Sequence, residues 1–355
     1  MKILIIQHKM IGDVLTTSLL FELLATRYPN AQLDYLVNNN TLAVVKGNPF
    51  ITKIWSYDAA SDKDSVFEKQ FLESTKGQGY DLVIDVYAKL RSAQRTKSLK
   101  PKQSVSYYKW YTKFAYKKTV KPLKDTKANE GLAIINRVLL LEALGIAVAA
   151  IPKPKIYLSQ EEFAAAKGLI ASHNIDKSKP LFMIGVLGSS DNKTYPLPYL
   201  ALVLDHLVLK TNANLLLNYI PSQKPLINTL ISLCKPETGA RIHANLYGAG
   251  LREFLALTSQ CDALIGNEGG AINMAKALNV PTFSIFSPWI LKSAWNSYEQ
   301  DNYNQSIHLA DLDPNRYTKH PKKYKEQAAV MYNELTPEAV NDALERFITH
   351  HNFIA

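Results

Sequence analysis

The chain reads as an α/β protein made of two doubly wound parallel-sheet domains, and three observations predict it. Its 355 residues exceed what one small core usually holds. Strand-like apolar runs alternate with helix-like stretches almost throughout, a pattern that builds parallel sheets covered on both faces. A proline-bearing break, "AAIPKPKIYLS" (149–159), divides that alternation into halves. The expected division is 1–155, then 156–335, then a closing helix at 336–355 that could pack back on the first domain. The two domains are expected to face each other across a cleft.

"KILII" (2–6) is the first strand. "IIQHKMIGDVLTTSLL" (5–20) leaves it, turns and enters a helix on which Leu15, Leu19, Leu20, Leu23 and Leu24 share a face. "LDYLV" (33–37) and "DLVIDVY" (81–87) are the next strands. In "YYKWYTKFAYKK" (107–118), Tyr107, Trp110, Tyr111 and Phe114 fall at i, i+3, i+4 and i+7, which predicts an amphipathic helix with Lys109, Lys113 and Lys117 as a separate stripe. The most apolar long window, 132–151, is interrupted by Asn136, Arg137 and Glu142. It fits an amphipathic helix running into a loop better than a membrane span. Ser159 with Glu162 makes a capping box at the start of the second half. There "LFMIGVLG" (181–188), "NLLLNYI" (214–220), "DALIGN" (262–267) and "PTFSIFS" (281–287) are strands. Thr336-Pro337 opens the last helix, and His350-His351 are expected in a fraying terminus.

A hydrophobic content of 47% with 20% charge is that of a soluble globular protein. Lys2 is followed by only four apolar residues before Gln7, so no secretory h-region is expected. The two cysteines, Cys234 and Cys261, argue against a disulfide framework or zinc site and suit a reducing cytoplasm. Charge is concentrated. Between Lys89 and Lys127 stand thirteen Lys/Arg and one acid, Asp125, against +10 for the whole chain, so the remainder is slightly acidic. The segment should face an anionic partner, either a membrane surface or a nucleic acid.

Ligands of open parallel sheets sit beyond the C-terminal strand edges. Asp13 lies at such an edge, where it could cap the following helix or act on a ligand. In "GNEGGAINMAKALNVPTFSIFSP" (266–288), Gly269 and Gly270 allow close backbone approach before a helix starting near Ala271. That is either an anion cradle or an ordinary tight turn. "GVLGSSDNKTYPLPYL" (185–200) offers Gly188, Ser189, Ser190 and Lys193 for a diphosphate, or as plain loop residues before a helix near Pro196 or Pro198. The dinucleotide and P-loop glycine fingerprints are absent. Asp62-Lys63-Asp64 and Asp311-Leu312-Asp313 match the short acidic pattern of metal-dependent sugar transferases, but no cluster of His and acids at ligand spacing supports a metal.

Taken together, "IGDVLTTSLLFELLATRYPNAQLDYLV" and "GLREFLALTSQCDALIGNEGGAINMAKALNVPTFSIFSP" resemble the glycosyltransferase family 9 heptosyltransferases of the lipopolysaccharide inner core. The resemblance implies a GT-B fold of two Rossmann-like domains, acceptor on the first and nucleotide sugar mostly on the second. It implies inverting, metal-independent transfer of heptose from ADP-heptose to an inner-core acceptor, with no cofactor. Asp13 takes the place of the family's general base in GD-x-L-x-T, beside Gly12. Ser189, Ser190 and Lys193 match the diphosphate loop with Gly188. Glu268, Gly269, Gly270 and Asn273 stand where members usually carry Asp-Ser/Thr-Gly and a His. The acid and one glycine are kept, the hydroxyl is lost at Gly269, and Asn273 replaces the His. Lys89, Arg91 and Arg95 follow the strand beside which members bind the anionic acceptor. A cytoplasmic protein with peripheral contact to the inner membrane, and no nucleic-acid partner, is implied. Three readings stay beside it. The same fold could move another nucleotide-activated sugar onto a different envelope glycan. The chain could be a nucleic-acid binder using 89–127. It could also be a degenerate transferase that binds without turnover.

Overall fold

The computed structural model describes residues 1–58, 65–75, 79–299, 302–317 and 320–354, and contacts divide the chain into Met1–Tyr157 and Leu158–Ala355. In the first unit six strands form one parallel sheet: β1 (Lys2–Ile6), β2 (Gln32–Asn38), β3 (Lys53–Tyr57), β4 (Leu82–Asp85), β5 (Gln103–Tyr107) and β6 (Lys118–Val120). Their order is β3-β2-β1-β4-β5-β6. Helices α1 (Ile11–Thr17), α2 (Leu19–Arg27), α3 (Ser65–Thr75), α4 (Leu90–Leu99) and α5 (Leu132–Glu142) lie between and after these strands. Ile3 to Ile6 are fully buried because the central strand of a parallel sheet is covered on both faces. The helix expected after Asp13 breaks at Ser18, whose hydroxyl donates to the Leu15 carbonyl at 2.7 Å. Leu15, Leu19, Leu20 and Leu24 are buried and Leu23 half-buried, so the apolar face continues through the break.

The aromatic segment departs from the helix expected of it. Residues 107–118 are not an amphipathic helix. Tyr107 ends β5, a loop with one 3₁₀ turn at Lys113–Ala115 follows, and Lys118 opens β6. Thr119 and Val120 pair with Ser106 and Tyr107, and Tyr116 turns inward to donate its hydroxyl to Asp85 at 2.6 Å. Strand pairing and a buried hydrogen bond override the helical spacing.

The second unit opens with α6 (Gln160–Ser172), where Ser159 accepts from Glu162 N and Glu162 accepts from Ser159 N, forming the expected capping box. Its strands β7 (Leu181–Gly185), β8 (Asn214–Asn218), β9 (Ala263–Asn267), β10 (Thr282–Ile285) and β11 (Asn304–Ile307) are parallel, in the order β11-β10-β9-β7-β8. The helices are α7 (Leu197–Thr211), α8 (Lys224–Leu233), α9 (Pro236–Gly239), α10 (Leu251–Thr258), α11 (Gly270–Ala277), α12 (Lys292–Trp295), α13 (Leu309–Leu312), α14 (Ala328–Tyr332) and α15 (Pro337–His350). α15 buries Val340, Leu344, Phe347 and Ile348 in the core of this unit, against α7, β10 and β11, so the closing helix is a layer of the second unit. His351 does not fray: its Nε2 lies 3.1 Å from the Tyr303 carbonyl and its ring stacks on Phe353. Among the described residues, no helix is long and apolar enough to cross a membrane.

Candidate functional site

Each sheet reverses its strand order once, and open parallel sheets bind ligands at that reversal, beyond the C-terminal strand ends. In the first unit the reversal lies between β1 and β4. The chain leaving β1 carries Gly12 and Asp13, and the chain leaving β4 carries Lys89, Arg91 and Arg95. In the second unit it lies between β7 and β9, which are followed by Gly188–Lys193 and Glu268–Asn273. Every predicted site residue therefore comes from a segment that leaves a strand at a reversal.

Asp13 stands in the first turn of α1, but it caps no backbone N–H among the described residues. Its Oδ1 accepts from Arg137 Nη2 at 2.8 Å, and its side chain is 29% exposed. Arg137 on α5 is almost wholly buried and donates from Nε to Thr17 Oγ1 at 2.8 Å and from Nη1 to the Ala133 carbonyl at 2.6 Å. The guanidinium thus fixes Oδ1, while among the described residues no hydrogen bond reaches Oδ2. In the sequence Arg137 is only an interruption of an apolar window. The usable signal was that a cation on a buried helix face must find a partner.

On the chain leaving β4, Arg95 is buried and points inward, unlike exposed Lys89 and half-buried Arg91. Arg95 Nη1 lies 3.1 Å from His8 Nε2, and its guanidinium sits 4.7 Å from the Tyr57 ring centroid. Arginine only donates, so that nitrogen is the acceptor of a neutral imidazole. Burial first, then the charges of Arg95, Lys9 and Arg91, hold the His8 pKa well below its ordinary value. Asp85, at the end of β4, is fully buried and accepts from Ala88 N at 2.8 Å as well as from Tyr116; burial raises its pKa.

In the second unit a buried amide builds the site. Asn267, the last residue of β9, donates to the Gly185 and Val186 carbonyls at 3.1 and 2.8 Å and accepts from Tyr195 N at 2.7 Å. It clips the loop after β7 to the end of β9. Gly188 packs so tightly that a Cβ there would sit 2.2 Å from the Lys193 carbonyl oxygen, so no side chain fits without moving the loop. Ser287 and Trp289 both donate to the Asn192 carbonyl, at 2.6 and 2.9 Å, fixing the same loop from the β10 side. Lys193 Nζ then lies 3.3 Å from Glu268 Oε1 and 5.4 Å from the Trp289 ring centroid. Glu268 is 7% exposed, and burial raises its pKa against the pull of Lys193. Gly269 precedes α11 with φ 147°, a backbone region that favours glycine, and the free N–H groups of the helix's first turn follow Gly270. Ser189 and Ser190 are exposed on the β7 loop, and Asn273 lies on the first turn of α11.

In the triplet Asp311-Leu312-Asp313 both carboxylates are engaged by protein groups. Asp311 accepts from His308 N and Lys292 Nζ at 2.8 Å each, and Asp313 accepts from Asn315 N at 3.1 Å. Asp62-Lys63-Asp64 lies outside the described residues. Among the described residues no group of three or more His, Cys, Asp or Glu is placed to hold a metal ion.

Two Rossmann-like parallel sheets, each with charged side chains beyond a strand-order reversal, make the fold of the GT-B glycosyltransferases. The chain belongs to glycosyltransferase family 9 (heptosyltransferase), whose family model matches residues 69–322. It is 24% identical over 312 residues to lipopolysaccharide heptosyltransferase 1 of Campylobacter coli, covering 81% of this chain and 84% of that one. The family 9 glycosyl transferase of Veillonella parvula superposes with a TM-score of 0.83 at 16% identity, over 98% of this chain and 97% of its own. The Escherichia coli ADP-heptose lipopolysaccharide heptosyltransferase II superposes with a TM-score of 0.74 at 16% identity, over 99% and 100%.

Proposed function

We propose that this glycosyltransferase moves heptose from ADP-heptose to the inner core of a lipopolysaccharide acceptor, with inversion and without a metal or other cofactor. It would work as a peripheral protein on the cytoplasmic face of the inner membrane, where a lipid-borne acceptor lies. The observation that carries the reading is the Asp13 carboxylate, held by Arg137 through one oxygen at a sheet reversal with its other oxygen unclaimed.

Asp13 takes the proton of the acceptor hydroxyl as that oxygen bonds to the anomeric carbon from the face opposite the leaving group. The bond from the anomeric carbon to the diphosphate oxygen breaks, and ADP leaves with the electron pair. Lys193, the Ser189 and Ser190 hydroxyls and the N–H groups at the start of α11 meet the diphosphate charge. Glu268 and Asn273 hydrogen-bond the sugar hydroxyls. Lys89, Arg91 and Arg95, with Gly12, serve the anionic acceptor. The names of the Campylobacter and Escherichia relatives support this donor and acceptor.

The test is transfer by the purified protein from a panel of ADP-, UDP- and GDP-sugars to inner-core acceptors, with and without chelator. Heptose transfer from ADP-heptose alone, unchanged by chelator and with inverted anomeric configuration, is expected. Preference for a different nucleotide sugar would move the function to another glycan.

A further inference from the structure

We infer that the loop joining β5 to β6 is a membrane-docking wedge, which seats aromatic side chains in the headgroup layer of an anionic bilayer. This deepens the peripheral placement proposed above by naming the surface, and it does not depend on which sugar is transferred. The loop exposes large apolar groups: Trp110 is 78% exposed and Phe114 65%, with Tyr108 and Tyr111 also exposed. Such a cluster on a soluble surface marks an interaction site.

The loop is held, not trailing. Tyr108 N donates to the Val120 carbonyl at 2.7 Å and Lys117 N to Ser104 Oγ at 2.9 Å. Lys109 Nζ donates to the Ala88 carbonyl at 2.7 Å, and Tyr116 is anchored on Asp85. With its feet bound to the sheet, the tip presents its rings in a fixed arrangement, so little conformational entropy remains to be lost on docking.

Charge complementarity names the occupant. Lys97 Nζ lies 5.5 Å from the Phe114 ring centroid, and Lys113 and Lys121 lie 5.9 and 5.8 Å from that of Tyr108. Between Arg95 and Arg137 the segment has lysines and no arginine. Lysine is a point charge suited to a diffuse anionic headgroup layer, whereas nucleic-acid surfaces favour the arginine fork. Tryptophan and tyrosine prefer the membrane–water interface, where ring and polar edge are both accommodated.

The experiment is flotation of the full chain with phosphatidylcholine vesicles and with vesicles that also contain phosphatidylglycerol. Wild type is expected to float only with the anionic vesicles and to be released by high salt. Trp110→Ser/Phe114→Ser and, separately, Lys113→Glu/Lys117→Glu should each weaken that binding about ten-fold or more. Both should keep the far-UV spectrum and the rate on a lipid-free acceptor saccharide. Equal binding by wild type and the aromatic variant, or none by wild type, overturns the inference. So does a wild-type dimer that the aromatic variant dissociates, or single-stranded DNA binding lost in that variant, when vesicles are not bound. Vesicle binding as expected without transfer from ADP-heptose leaves the wedge standing and removes the sugar assignment.

Discussion

Arg137 on α5 and Asp13 on α1 meet at 2.8 Å across 124 residues of sequence, the arginine buried and the carboxylate partly open to solvent. The guanidinium fixes Oδ1, and among the described residues no hydrogen bond reaches Oδ2.

Asp13→Ala is expected to lower transfer by roughly 10²–10⁴, the range for loss of a general base, while ADP affinity stays near wild type. Initial rates and calorimetric ADP titration on the same preparation check this. A variant that keeps its rate, or that loses ADP binding as well, contradicts the role.

Arg137→Ala removes the donor to Thr17 and to Asp13 and opens a void on α5. Loss of stability on the order of 1–3 kcal/mol is expected from the lost hydrogen bonds and packing, together with a fall in kcat. Arg137→Lys should recover part of the stability but less of the rate, because an ammonium cannot span Thr17 and Asp13 as a fork does. Thermal melts and kcat for both variants decide it.

His8 gives the first unit a pH dependence with a definite sign. Its pKa is held well below the ordinary value in the folded chain, by burial and then by Arg95, Lys9 and Arg91. The unfolded chain takes up this proton as pH falls through the ordinary histidine range, while the folded chain does not. The contribution to stability is therefore full above that range and is lost on acidification, at up to about 1.4 kcal/mol per pH unit. His8→Gln should flatten the melting temperature between about pH 5.5 and 7, whatever it does to the absolute value. An unchanged slope would mean that His8 takes up its proton over the same pH range in the folded and unfolded chains.

Gly188→Ala places a Cβ 2.2 Å from the Lys193 carbonyl oxygen, so the loop after β7 must shift. A several-fold or larger rise in the ADP dissociation constant is expected, with a fall in melting temperature, since the half-buried glycine lies in a loop pinned by Asn267, Ser287 and Trp289. Lys193→Ala should show the same loss of affinity without any steric cause. If only the glycine variant were impaired, the ammonium would have no part in diphosphate binding.

The sequence disclosed what continuous apolar runs reveal. β1, β2, β4 and β7 to β10 are buried along most of their length, β8 included although it ends its sheet, and their apolar runs are long enough to read. β3, β5, β6 and β11 escaped notice: "KIWSY", "QSVSY", "KTV" and "NQSI" are polar or aromatic, as suits strands at or next to a sheet edge. The same polarity let 107–118 pass for a helix, because its aromatic spacing is satisfied equally by a loop. Gly12, Asp13 and the segments after β4, β7 and β9 could be placed because their strands were legible. The partners that fix them could not. Arg137, Asn267 and Trp289 reach the site from sequence-distant elements, and no local pattern announces which polar group a buried fork or amide will find.

Each set of charged residues is held by hydrogen bonds from its own unit. Asp13 and Arg137 lie before Tyr157, and Asn267, Lys193 and Glu268 lie after Leu158. A chimera that exchanges the segment from Leu158 onward between two relatives is therefore expected to keep both sets of hydrogen bonds, which a thermal melt would check. The joint at Tyr157–Leu158 is where a chimera of two relatives should be cut.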